Sequence, residues 1–209
     1  SEIHHLPAGR KPIISTWKTS SQMKEVYRQM QEQLNQGFQI YAVTPLITES
    51  ETLDLKNAEE LHEKLSHDFP NHKVVLLHGQ MSGAQKDEIM TAFAAGEIDI
   101  LVTTSVIEVG VDVANANMMV IYNADRFGLS QLHQLRGRIG RGQTQSYCVF
   151  LADPKTDSGK ARMKIIASTN DGFKLAEEDL KMRGEGDLFG KAQSGLPEFR
   201  VGDVVNNYN

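Results

Sequence analysis

The densest chemistry in this 209-residue sequence lies in QLHQLRGRIGRG, residues 131–142. Within it Gln134, Gly137, Arg138, Gly140 and Arg141 spell Q-x-x-G-R-x-G-R. Phosphoryl transfer spreads negative charge over the transferred group, and a guanidinium held against that charge lowers the barrier. Two arginines three residues apart share one face of a helix or tight turn. The glycines between them permit close backbone approach and unusual φ values. A solvated basic surface turn would carry the same letters, so the spacing alone leaves both readings open.

Three further strings have the residue types of a phosphate contact. ILVTTSVIEVGVDV (100–113) closes an apolar run at Thr103-Thr104-Ser105 and then places Gly110 and Asp112. Hydroxyls and free amides at a strand end suit a phosphate oxygen, and a Ser/Thr cap with a buried Asp fits the same residues. HGQM (78–81) sets Gly79 between the apolar run VVLL and a capped helix, which suits a phosphate seat or an ordinary turn. Thr44-Pro45-Leu46 follows IYAV in the same manner. A fourth segment, EEDLKMRGEGDLFGKAQSG (177–195), carries Arg183, Gly184, Gly186, Asp187, Gly190 and Gln193. Its glycines fit a turn capping a helical hairpin, or a bistable loop whose Arg183 pairs with a carboxylate or a carbonyl. One expected part is missing from the sequence. There is no G-x-x-x-x-G-K-[ST] string, and Gly9-Arg10-Lys11 lacks the leading loop. Backbone amides and a Lys must cradle the phosphates of a nucleotide, so ATP chemistry here has to be shared with another domain.

The elements that position these strings follow from periodicity. Strands are expected at 12–17, 38–43, 74–77, 98–103, 118–122 and 146–151. Between them, Met23, Val26, Tyr27, Met30 and Leu34 recur at helical intervals, as do Leu55, Ala58, Leu61 and Leu65, and Ile89 with Phe93. Thr19/Gln22 and Ser82/Gln85 have capping-box spacing, and Gly37 and Gly96 close two of the helices. A further helix is expected near 129–136. Short apolar strands alternating with amphipathic helices define a parallel α/β sheet, whose ligand contacts gather in loops after the strand C-termini. Beyond Asp153 the pattern changes: 159–182 reads as two helices joined near Asn170-Asp171-Gly172, and RGEGDLFG (183–190) as too glycine-rich to remain helical. The division drawn is 1–155 for the sheet domain and 156–209 for the hairpin, loop and tail.

Composition sets the outer bounds. Hydrophobic residues make up 40% and charged residues 23%, a globular profile. No apolar run approaches a membrane span, and no leader is evident, so the location expected is cytoplasmic. The net charge of −5 argues mildly against nucleic acid, although an acidic domain can still present a local basic face. Cys148, the single cysteine, reads as a small buried hydrophobe. The seven histidines show no metal-ligand spacing, and no metal site is assigned.

The arginine string resembles motif VI of the superfamily 2 helicases, and its context ADRFGLSQLHQLRGRIGRG (124–142) is similar to the RecG and transcription-repair coupling factor group. Residues 100–113 resemble motif V, 44–46 motif IV, and 177–195 the translocation segment that follows motif VI in that group. LPEFRVGDVV (196–205) resembles the RecG tail more than that of the coupling factor. The resemblance implies a RecA-like lobe, of the P-loop NTPase type, with a C-terminal helical hairpin and loop. It implies Arg138 and Arg141 as arginine fingers and Gln134 as a nucleotide-positioning or coupling residue. Gly110 and Asp112 fall at the nucleotide cleft, and Thr44, Gly79, Thr103, Thr104 and Ser105 on the DNA backbone. Arg183, Gly184, Gly186, Asp187, Gly190 and Gln193 couple ATP turnover to movement on duplex DNA. ATP and Mg²⁺ would be held mainly by an absent first lobe. The implied partners are branched or forked DNA and the other domains of the same polypeptide, which acts as a monomer at stalled forks and recombination intermediates; the fragment alone would be inactive. The alternatives are the second lobe of a coupling factor and a non-hydrolysing nucleic-acid-binding module. Two departures stand out: Glu185 replaces the usual Pro, and Lys191-Ala192 the usual Thr-Arg.

Overall fold

The computed structural model describes residues 11–46, 50–104 and 113–194, with the backbone alone at Glu51 and over 185–194. Six strands, β1 (Ile14–Lys18), β2 (Gln39–Thr44), β3 (Val74–Leu77), β4 (Ile100–Thr104), β5 (Ala116–Ile121) and β6 (Tyr147–Leu151), lie in one sheet ordered β1-β6-β5-β2-β4-β3. Every pairing is parallel. The central strands β2, β4 and β5 are buried along their whole length. That is why they read as continuous apolar runs and not as alternations.

Two cores result, one on each face. Ile40, Ala42, Ile100, Val102, Met118 and Val120 pack with Val26, Met30 and Leu34 of α1 (Met23–Asn35) and Leu65 of α2 (Glu51–Asp68). The alternate residues Tyr41, Val43, Leu101, Met119 and Ile121 pack with Met90 and Phe93 of α3 (Gly83–Ala94) and Leu129, Leu132 and Leu135 of α4 (Leu129–Arg136). Met163 and Ile166 of α5 (Asp157–Ser168) and Leu175 of α6 (Gly172–Ser194) belong to this second core. The C-terminal hairpin is therefore seated on the sheet, not beside it.

Local chemistry sets the helix ends. Ser82 accepts from the Gln85 amide at 3.1 Å while Gln85 accepts from the Ser82 amide at 2.9 Å, so both halves of the capping box form at α3. The chain leaves α1 and α3 through Gly37 and Gly96, at φ of 88° and 83°, a region open to glycine at no steric cost. Cys148 is fully buried, as expected, and burial pushes its thiol up to about 12. It is inert packing and not a nucleophile.

One expectation fails. The run 183–190 does not leave the helix, and α6 continues to Ser194. Glycine in a helix interior costs about 1 kcal/mol but forbids nothing. With Glu185 where the resembling pattern has Pro, the backbone donor is present and no ring clashes with the preceding turn. The tail at 196–205 lies outside the described residues.

Candidate nucleotide and nucleic-acid sites

Register places one group of residues together. Thr44 pairs with Thr104, and Val43 and Leu77 both pair with Thr103. Thr44, Thr103 and Thr104 thus end neighbouring strands at one edge of the sheet, and Gly79 sits in the turn after β3 at the same edge. Gly79 is exposed, and nothing lies within 4 Å of where a side chain would begin. The His78 ring caps that turn by accepting from the Gln80 amide at 3.2 Å. The threonines are buried, and the Thr103 hydroxyl donates to the Thr104 carbonyl at 3.1 Å. Ser105, Gly110 and Asp112 lie outside the described residues.

The arginine string lies elsewhere. Gln134 is exposed on the last turn of α4, and the helix ends at Arg136. Arg138, half-buried, and Arg141, exposed, belong to the following turn, where Gly140 takes a φ of 80°. A side chain at Gly140 would begin 3.0 Å from Ile13, just before β1, and one at Gly142 would begin 3.1 Å from the Ala114 carbonyl, just before β5. The arginine turn is therefore level with the strand starts, not the strand ends where ligand contacts were expected. The reason is topological: α4 leaves the end of β5 and must return to the start of β6. The structure brings the threonines and Gly79 together and sets Gln134, Arg138 and Arg141 at the opposite edge.

Three residues escaped the sequence reading. Arg136, at 1% exposure, donates to the Ser15 hydroxyl at 3.0 Å, the Ile166 carbonyl at 2.7 Å and His133 Nδ1 at 3.1 Å. Lying between Gln134 and Arg138, it passed as one more basic letter. Arg162 of α5 donates to the Phe127 carbonyl at 2.7 Å, tying the hairpin to the segment after β5. Asn123, at the end of β5, has a φ of 51°, the left-handed region where Asn is the usual non-glycine occupant. In α6, Arg183 pairs with Asp179 at 2.7 Å, Gly184 is exposed, and Gly186, Asp187, Gly190 and Gln193 continue the same helix.

His133 carries a testable electrostatic consequence. Burial, and then the Arg136 guanidinium, hold its pKa below the ordinary histidine range, while Asp171 pulls the other way. Accepting from Arg136 at Nδ1 requires the neutral ring. Unfolded chains take up this proton first as pH falls, so stability drops from about pH 6.5 downward until the folded pKa is passed. His133→Gln retains an acceptor without a titrating ring. Denaturation midpoints between pH 7 and 5 are expected to fall less in that variant; an identical slope would show that His133 does not contribute.

The phosphate chemistry can be tested against these side chains. Two guanidiniums and an amide, carried at or beside the end of a helix by a glycine-bearing turn, match the forked donors a polyphosphate needs. Among the described residues no three of His, Cys, Asp and Glu lie close enough to hold a metal. No helix among them is long and apolar enough to cross a membrane.

A parallel sheet with helices on both faces, carrying this arginine turn, is the architecture of a helicase motor lobe. The chain belongs to the helicase conserved C-terminal domain family, whose model matches residues 18–143. Within that family it is similar to the ATP-dependent DNA helicase RecG. The model of RecG domain 3, C-terminal, matches residues 169–207. RecG of Streptococcus pneumoniae is 56% identical over all 209 residues, and RecG of Bacillus subtilis 51% identical over the same length. The chain spans 31% of each of these relatives. A solved structure of RecG bound to a three-way DNA junction is 41% identical over 97% of this chain and 26% of its own, with a TM-score of 0.73. The Mss116p DEAD-box helicase domain 2 bound to an RNA duplex, 15% identical over 80% of this chain and 68% of its own, shares the fold with a TM-score of 0.57.

Proposed function

We propose that this chain is the second motor lobe and coupling segment of an ATP-dependent double-stranded DNA translocase that remodels stalled forks and branched recombination intermediates. Residues 1–155 form the lobe and 156–209 the segment that carries its movement to duplex DNA. Arg138 and Arg141 face the terminal phosphates of an ATP held, with Mg²⁺, by a first lobe of the same polypeptide, and Gln134 positions that nucleotide. Bound ATP supplies the energy of phosphoryl transfer; the arginines stabilise the charge that develops on it. Thr44, Gly79, Thr103 and Thr104 follow the DNA backbone from the opposite edge of the sheet; Ser105 is assigned to the same backbone, and Gly110 and Asp112 to the nucleotide. The RecG relative solved on a three-way junction supports branched DNA as the substrate. The RecG domain match at 169–207 favours this reading over a polymerase-coupled motor.

One observation carries the proposal. The helix that ends in the arginine turn packs directly on the hairpin: Arg136 bonds the last turn of α5, and His133 lies 3.1 Å from where a Gly172 side chain would begin. A displacement of the arginine turn on nucleotide binding thus reaches α5, α6 and the segment from Arg183 through Gly184, Gly186, Asp187 and Gly190 to Gln193. The test is titration of the isolated 209 residues with ATP and with forked DNA. Weak binding of each and no turnover is the result expected of half a site; robust hydrolysis by the chain alone would sink it.

A further inference from the structure

Arg136 heads the fully buried side chains by volume among the described residues. Its partners among the described residues are all uncharged: a hydroxyl, a carbonyl, a neutral imidazole and the face of Phe150, 5.9 Å from the guanidinium carbon. A buried cation without a counter-charge is costly, and an apolar side chain of similar volume is often neutral or stabilising in such a place. Packing alone therefore does not account for an arginine here. Its geometry does. Arg136 is the last residue of α4, and its fork reaches Ser15 on β1 and Ile166 on the last turn of α5 at once. Ile13, two residues before Ser15, supports the far side of the same turn beneath Gly140. The Ile13 carbonyl accepts from Asn170, in the connector between α5 and α6, at 3.1 Å. The start of β1 is thus where the arginine turn and the hairpin are both fastened.

We propose that Arg136 is the positioning residue of the arginine turn, fixing where Arg138 and Arg141 project and tying that placement to the seat of the hairpin. The inference rests on the reading of Arg138 and Arg141 as nucleotide-facing groups. Arg136 itself touches no substrate. Nη1 meets Ser15 and Ile166 on two different elements while Nη2 meets His133 on α4, and the planar guanidinium fixes these directions relative to one another, which a rotating ammonium does not.

The test uses the full-length protein, with ATP hydrolysis on forked DNA measured for Arg136→Met, Arg136→Lys, Ser15→Ala and, as a control, Arg141→Ala. A misplacement of about 1 Å at a reacting group can cost about 100-fold in rate. Arg136→Met is expected to lower kcat roughly tenfold to a hundredfold, with KM for ATP within about twofold and the thermal midpoint unchanged or raised. Lysine is expected not to restore kcat. Ser15→Ala, a small change that should fold even if Arg136→Met does not, is expected to lower kcat a few-fold at the same KM. Normal kcat in both variants, or losses that merely track the thermal midpoint, overturns the inference. Loss of turnover in Arg141→Ala alongside normal Arg136→Met and Ser15→Ala leaves the larger reading standing. Normal turnover in Arg141→Ala removes Arg141 from catalysis and overturns this inference.

Discussion

Arg141→Ala in the full-length protein is expected to lower forked-DNA-stimulated ATP hydrolysis by about 10³–10⁵ while ATP binding changes little. The side chain lies exposed on a turn whose backbone is held on both sides, by Arg136 at the helix exit and by Gly140 against Ile13. On the proposed reading a guanidinium delivered in this way meets charge that exists fully only in the transition state, so its loss is expected to fall on kcat and not on KM. Arg138 is half-buried in the same turn. Single-turnover hydrolysis together with nucleotide-binding titration separates the two effects. Near-normal turnover would remove Arg141 from catalysis and shift weight to Arg138 or to a binding module that does not hydrolyse.

The largest stability effect is expected at Phe93. Its ring is fully buried and meets Tyr41 edge-to-face at 5.0 Å and 62° between planes. Removing an enclosed phenyl ring forfeits its transfer free energy and leaves a cavity that the surrounding sheet cannot close. Phe93→Ala is expected to cost about 3–5 kcal/mol, a large share of the roughly 5–15 kcal/mol that a domain has in total. The site is also rigid for a second reason: Gln39 donates to the Phe93 and Ile98 carbonyls at 2.6 and 2.7 Å, so the end of α3 is bolted to the start of β2. Urea denaturation of the 209-residue chain measures the loss, and a cost below about 1 kcal/mol would show that α3 can repack onto β2.

Much of this architecture was legible in the residues because the signals were local. The strand VVLL at 74–77, the helix at 129–136, the Ser82/Gln85 capping box and the closing glycines Gly37 and Gly96 all sit where periodicity and backbone sterics place them. The arginine string stands out for the same reason, since the charge and glycine pattern of 131–142 is contiguous. The glycine-rich run at 183–190 misled because glycine only lowers helix propensity, whereas proline removes a donor, and Glu185 supplies one.

What the sequence by itself determined is the alternation of elements, the parallel sheet and the residue types able to meet phosphate. Each depends on neighbours within about one helical turn or one strand. What only the tertiary structure decided is where those residues stand and what holds them. The placement of the arginine turn at the edge opposite Thr44, Thr103, Thr104 and Gly79 follows from α4 running back across the sheet. The burial of Arg136 depends on Ser15, 121 residues away in sequence, and on Ile166, 30 away. Partners separated by that much chain leave no periodicity to read, because only the closure of the sheet and the return of the hairpin bring them within a hydrogen bond.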